Sequence, residues 1–225
     1  MKENNWLSLI SPRFAYRKDS KSWLFTLYDL KNWQEMCSWF KSFHNISKEI
    51  LINIFESEYK DRFINRLDEL YPEDTRCFNI NEQIVLKICI SFPETFYKLQ
   101  NDNSIYEKYT DKYKFIYWCK SMGIWWEDEE LIWDFYQNVR CGLYHIWSLW
   151  WWRNIDYEND SSTSEIDKVI YKKWWTIKCI CLTKFISKIK ESINDYIDKL
   201  KNDDNLYDIF TKKYVNDLNT YLKWL

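Results

Sequence analysis

A chain of 225 residues, 46 % apolar and 20 % aromatic, fits one domain, or one domain with an extra arm, and can bury a sizeable core. A net charge of -2 carries no global nucleic-acid signature, so a polyanion would need a local basic patch. No run reaches the roughly 18 apolar residues of a membrane span, the apolar run in MKENNWLSLISPRF is too short for a signal peptide, and seven scattered Cys with two His and no Cys-x-x-Cys pair argue against a metal site.

In chain order, residues 22–43 look helical but aromatic nearly all round. Residues 47–71 read as a helix striped by Ile52, Phe55, Tyr59, Phe63, Leu67 and Leu70, and Pro72 stops it. The β-branched run at 84–92 fits a helix or a strand equally. A second helix is expected over about 104–120. A third, over 127–146, opens on Glu-Asp-Glu-Glu, which suits the positive end of a helix dipole. A fourth covers about 176–201, striped by Leu182, Phe185, Ile189, Ile193, Tyr196 and Leu200, and a fifth starts near Leu206. The linkers at 71–76, 99–104, 157–165 and 201–205 are polar and short. The expected fold class is all-α: one domain over residues 1–225, a bundle of about six helices. Most cysteines then serve as small core residues in a reducing cytoplasm.

Two counts depart from the norm. Gly appears twice, where about 7 % is usual. Trp appears fifteen times, and positions 125, 126, 147, 150, 151, 152, 174 and 175 fall in places that read as turns. Three readings stand open. Exposed tryptophans stack on unpaired bases, at about 1–3 kcal/mol per base. Alternatively, the loops fold back into the core. Or these are UGA codons, which some bacterial genetic codes read as glycine and others as tryptophan; glycine would make ordinary turns of them. Trp133 lies within a helix and is expected to be a true aromatic.

The segment ELIWDFYQNVRCGLYH concentrates the chemistry. Leu131, Phe135, Val139, Leu143 and Ile146 form its buried face, and Gly142 among them suits close approach of another helix. Arg140 and His145 flank that face, about 140° apart on an ideal helix. One straight helix cannot aim both at one point, so either the helix loosens after Gly142 or two copies meet. His moves protons near neutral pH, and Arg grips phosphate in a fork. Together they form a minimal kit for cutting RNA without a metal or other cofactor. Asn138 and Arg153 are candidate substrate contacts, with Lys172 and Lys173 as further basic groups. His44, before Asn-Ile-Ser-Lys, is expected to cap a helix or lie on the surface.

The segment FYQNVRCGLYH resembles the signature of the HEPN superfamily, small all-α proteins whose motif is R-x-x-x-x-H. On that resemblance Arg140 and His145 match the catalytic pair, and Cys141, Gly142 and Leu143 match the filling of one bacterial branch. Active members often carry a polar residue where Cys141 stands. The resemblance spans about residues 127–153. It implies a HEPN-like core over about 45–201 with its motif helix at 127–146, and a cytoplasmic, metal-independent endoribonuclease on single-stranded RNA. It also implies a homodimer with two motifs facing each other, and a toxin or phage-defence role with an antitoxin partner. The alternative is a non-catalytic HEPN-like scaffold or binding module.

Overall fold

The computed structural model describes residues 7–19, 21–71, 80–101, 110–121, 129–141, 152–154, 170–173 and 177–223. Two compact units emerge: Met1–Arg66 with Asp195–Leu225, and Leu67–Asn194.

The first unit begins with an antiparallel sheet, which corrects the all-α expectation. Its strands are β1 (Ser8–Leu9), β2 (Phe14–Lys18), β3 (Phe25–Asp29) and β4 (Gln34–Phe40), in that spatial order. Phe14 pairs with Asp29 and Lys18 with Phe25, and Asp29 pairs with Gln34. Residues 22–43 are thus hairpin strands, not an aromatic helix. β3 alternates as a half-buried strand should, with Phe25, Leu27 and Asp29 inward and Thr26 and Tyr28 between them. That two-residue period was hidden because both flanking turns end in Trp, where a turn residue is expected.

Helix α1 (Lys48–Tyr59) starts at Ser47, whose hydroxyl accepts from the Ile50 amide. It runs through a π-turn at Lys60–Ile64 into α2 (Asn65–Leu70), so the helix expected at 47–71 forms. Phe55 is its fully buried hub, with ring centroids 4.4 Å from Tyr59, 5.7 Å from Tyr196, 5.3 Å from Phe210 and 5.1 Å from Tyr214. Each such aromatic pair contributes about 0.5–1.5 kcal/mol beyond its area burial. Tyr214 also donates to Glu58 Oε2 at 2.6 Å, satisfying its buried hydroxyl.

The second unit holds α3 (Ile80–Gln100), α4 (Asp111–Ser121) and α5 (Glu129–Phe135), which continues as a π-turn at Tyr136–Cys141. The ambiguous run at 84–92 is therefore helical, with Val85, Leu86, Cys89 and Ile90 buried. A small sheet follows: β5 (Trp152–Asn154) pairs in parallel with β7 (Ile177–Ile180), which pairs antiparallel with β6 (Ile170–Lys173). Helix α6 (Leu182–Asn202) starts six residues later than the stripe suggested, because Ile177–Ile180 is strand. Its stripe of Phe185, Ile189, Ile193, Tyr196 and Leu200 is buried as expected. The chain ends with α7 (Asp204–Phe210), a π-turn at Thr211–Val215 and α8 (Asn216–Lys223) in the first unit. Among the described residues no helix is long and apolar enough to cross a membrane.

Candidate functional site

The motif helix is anchored by its apolar face. Ile132, Phe135 and Val139 are fully buried, and the Phe135 ring lies 5.6 Å from Phe115 and 6.1 Å, edge-on, from Phe185. Trp133 stacks on Tyr136 with ring centroids 5.8 Å apart, the ordinary helical aromatic expected there. Asn138 donates through Nδ2 to Asp134 Oδ1 at 2.9 Å, one turn back, which fixes its amide half-buried at the side of the helix.

The α-helix widens into the π-turn at Tyr136, ahead of Gly142. Its i→i+5 bonds turn the chain less per residue than an α-helix does, so ideal α-helical angles do not apply over Tyr136–Cys141. Such turns often mark functional sites. Here the feature is not selective, since Lys60–Ile64 and Thr211–Val215 carry it too. The described backbone carries Arg140 to the end of this turn. The Arg140 side chain lies outside the described residues, as do Gly142, Leu143 and His145. Arg153 is placed on β5, its backbone in register with Cys179 of β7. Of the eight tryptophans singled out in turns, Trp152 alone is among the described residues, also on β5.

The first unit contains a second arrangement, which the sequence did not announce. A cavity of about 710 Å³ opens between the β2–β4 hairpins and α8. Lys18, Lys41 and His44 are among the residues that line it. α8 supplies Asn216, Asn219 and Thr220. Trp23 and Phe25 complete the wall, with the Lys18 ammonium 4.4 Å from the Trp23 ring centroid. Among the described residues no Asp or Glu lines the cavity, so these residues give it a cationic, hydrogen-bonding wall.

Its polar groups are oriented. His44 lies in a 3-10 turn, Phe43–Asn45, capped by Ser42, whose hydroxyl accepts from the His44 amide at 3.2 Å. His44 caps no helix itself and is exposed, the surface position that is the other expectation for it. Asn219 Oδ1 accepts from the Phe43 amide at 2.8 Å. Asn216 uses its Nδ2 to donate to the Lys212 carbonyl, which leaves Oδ1 as its acceptor. His44 Nε2 lies 3.1 Å from that Oδ1 and donates to it. Two lysines with amide and hydroxyl donors suit an anion such as a phosphate.

Among the described residues no group of three or more His, Cys, Asp or Glu gathers as metal ligands. No protein-family model, curated protein or solved structure matches this chain.

Proposed function

We propose that the chain is a metal-independent endoribonuclease of the HEPN type, acting on single-stranded RNA with Arg140 and His145 as its catalytic pair. The observation that carries this reading is the segment FYQNVRCGLYH, whose first seven residues, 135–141, end a helix with Ile132, Phe135 and Val139 as its buried face. His145 would take the proton of the attacking 2′-hydroxyl or return one to the leaving oxygen. Arg140 would stabilise the charge developing on the phosphate. Asn138 and Arg153 are proposed substrate contacts, and the reading includes a homodimer and an antitoxin partner. The four-stranded sheet is then an element added to the helices, and the all-α description is set aside.

The purified protein is expected to cut single-stranded RNA in EDTA and leave cyclic-phosphate ends. Arg140→Ala and His145→Ala should each abolish cutting while leaving the circular dichroism spectrum unchanged. Intact RNA after prolonged incubation with the folded protein would end the nuclease reading.

The cavity of Lys18, Lys41 and His44 favours a second reading, a module that binds a phosphate-bearing ligand without cleaving it. Lys18→Ala with Lys41→Ala would then weaken binding of a labelled oligonucleotide and flatten its salt dependence. Unchanged binding in that double variant would remove this reading.

A further inference from the structure

Three residues among the described ones hold a left-handed backbone: Trp23 at φ 60°, Trp33 at φ 56° and Trp39 at φ 60°. The two glycines of the chain, Gly123 and Gly142, lie outside the described residues, so every such position seen is a tryptophan. Left-handed non-glycine residues are several-fold enriched in Asn, Asp and His, and a bulky side chain there is a steric outlier. Tryptophan fills fifteen of 225 positions, so chance would put all three on it about three times in ten thousand.

Each of the three stands where the chain path calls for glycine. The hairpin loops are alike: Asp19-Ser20-Lys21-Ser22-Trp23 and Asp29-Leu30-Lys31-Asn32-Trp33. In both, the Asp carboxylate accepts from the Lys amide two residues on, at 3.0 Å. The first loop closes with the Trp23 amide donating to the Asp19 carbonyl at 3.0 Å and the Asp19 amide donating to the Leu24 carbonyl at 2.9 Å. The last loop residue then turns left-handed so that the next can re-enter the strand, a step glycine takes without strain. Trp39 occupies a different feature. Phe25 pairs with Phe40 but Leu27 with Cys37, so β4 carries one residue more than β3 across this stretch. That is a bulge, and its left-handed residue is ordinarily glycine.

The indole rings offer little in return: Trp23 makes one contact, with the Lys18 ammonium 4.4 Å from its ring centroid. Trp23, Trp33 and Trp39 are 68 %, 70 % and 63 % exposed. Trp118 and Trp133, by contrast, sit in helices, where the backbone makes no such demand.

We propose that positions 23, 33 and 39 are glycine in the natural polypeptide, encoded by UGA in a gene whose host reads that codon as glycine. The backbone geometry reaches this through positions separate from the eight turn tryptophans, and it does not depend on the nuclease reading. The exposed aromatics of the sheet are then no base-stacking surface. Glycine at 23 also lifts the ring from the Lys18 ammonium, freeing that cation to face an anionic ligand in the cavity.

Two measurements test the proposal. The first is the gene with the protein from its own host: UGA at codons 23, 33 and 39, and glycine in the corresponding peptides by tandem mass spectrometry, are expected. UGG codons, or tryptophan in those peptides, overturn it. The second compares Trp→Gly with Trp→Ala at each position in the recombinant chain. Glycine is expected to raise Tm by about 2–4 °C per position, and alanine, which shares the left-handed penalty, by clearly less. Equal gains from both substitutions would mean that ring exposure is the cause, and would overturn the assignment of these positions as glycine.

Discussion

Arg13 and Asp29 lock the base of the central hairpin. Arg13 Nε donates to both carboxylate oxygens at 3.0 Å, and Nη2 donates to Oδ2 at 2.5 Å. The two ends are unequal: the Asp29 side chain is 2 % exposed and that of Arg13 40 %. Removing the guanidinium leaves the buried carboxylate with the Lys31 amide but no countercharge, whereas removing the carboxylate leaves a cation that water can still reach. Arg13→Met is therefore expected to cost about 3 kcal/mol in urea unfolding, and more than Asp29→Asn. Equal costs would show that the pair is solvated at both ends.

The same pair sets an acid limit. The Arg13 hydrogen bonds hold the Asp29 carboxyl below the usual carboxylate range, against a smaller opposing effect of burial. The folded state thus binds a proton less readily than the unfolded chain. The resulting stability is present above about pH 4, the unfolded Asp value, and is lost as pH falls through the folded pKa. Urea midpoints should fall between pH 5 and pH 3 in the parent, and this loss should be smaller in Arg13→Met.

Ser57 ties α1 to the sheet. Its hydroxyl accepts from Ser11 Oγ at 3.1 Å and from the Arg13 amide at 3.3 Å, and donates to Asp61 Oδ2 at 2.8 Å. Ser11 is fully buried and in turn accepts from the Phe14 amide at 3.2 Å. Ser57→Ala leaves buried donors without a partner and should cost about 1–3 kcal/mol. A double substitution with Ser11→Ala should cost less than the two singles added, because they share one bond. Additive costs would break the chain of bonds as a unit.

The helices were legible because a 3.6-residue stripe survives any single odd residue. Ile52, Phe55 and Leu67 mark one buried face, and Phe185, Ile189 and Ile193 another. The sheet was not legible, for a local reason. A hairpin is recognised by its turn residues, and the turns at 19–24 and 29–34 end in Trp23 and Trp33. With glycine there, two Asp-x-Lys-x-Gly turns would have bracketed Phe25–Asp29 as a strand. The spacing of Arg140 and His145 stands in the sequence itself, whereas His145 and the Arg140 side chain lie outside the described residues. The cavity was not legible, because His44 and its partner Asn216 are 172 residues apart in sequence.

Accessibility divides the four cysteines whose side chains the structure describes. Cys89 and Cys119 are fully buried, and burial pushes both thiols well above their ordinary pKa. Cys181 is buried as well, and Cys37 on β4 is half-buried. Burial and Glu35 raise the Cys37 thiol too, so it should react slowly at pH 7, yet ahead of the other three. Iodoacetamide labelling of the native protein, read by peptide mass spectrometry, is expected to modify Cys37 first among these four. Early labelling of Cys119 would mean that α4 opens readily.

The aromatic hub around Phe55 sets an alkaline limit. Tyr59, Tyr196 and Tyr214 all have hydroxyls raised above their ordinary pKa, in each case mainly by burial. Glu58 adds to this for Tyr214, as a nearby negative charge and as the acceptor of its proton at 2.6 Å. The folded state holds these protons after the unfolded chain has released its own. Their contribution is fully present below about pH 10, the unfolded Tyr value, and is lost as pH rises toward the folded values. Unfolding midpoints should therefore drop steeply between about pH 9.5 and pH 11. Tyr214→Phe removes one of the three groups and should make that drop shallower. At pH 7 the same substitution should cost about 1–2 kcal/mol, because the Glu58 carboxylate loses a hydrogen-bond donor. A drop of unchanged slope in Tyr214→Phe would mean that the Tyr214 hydroxyl ionises freely in the folded protein, and that the contact with Glu58 does not hold its proton.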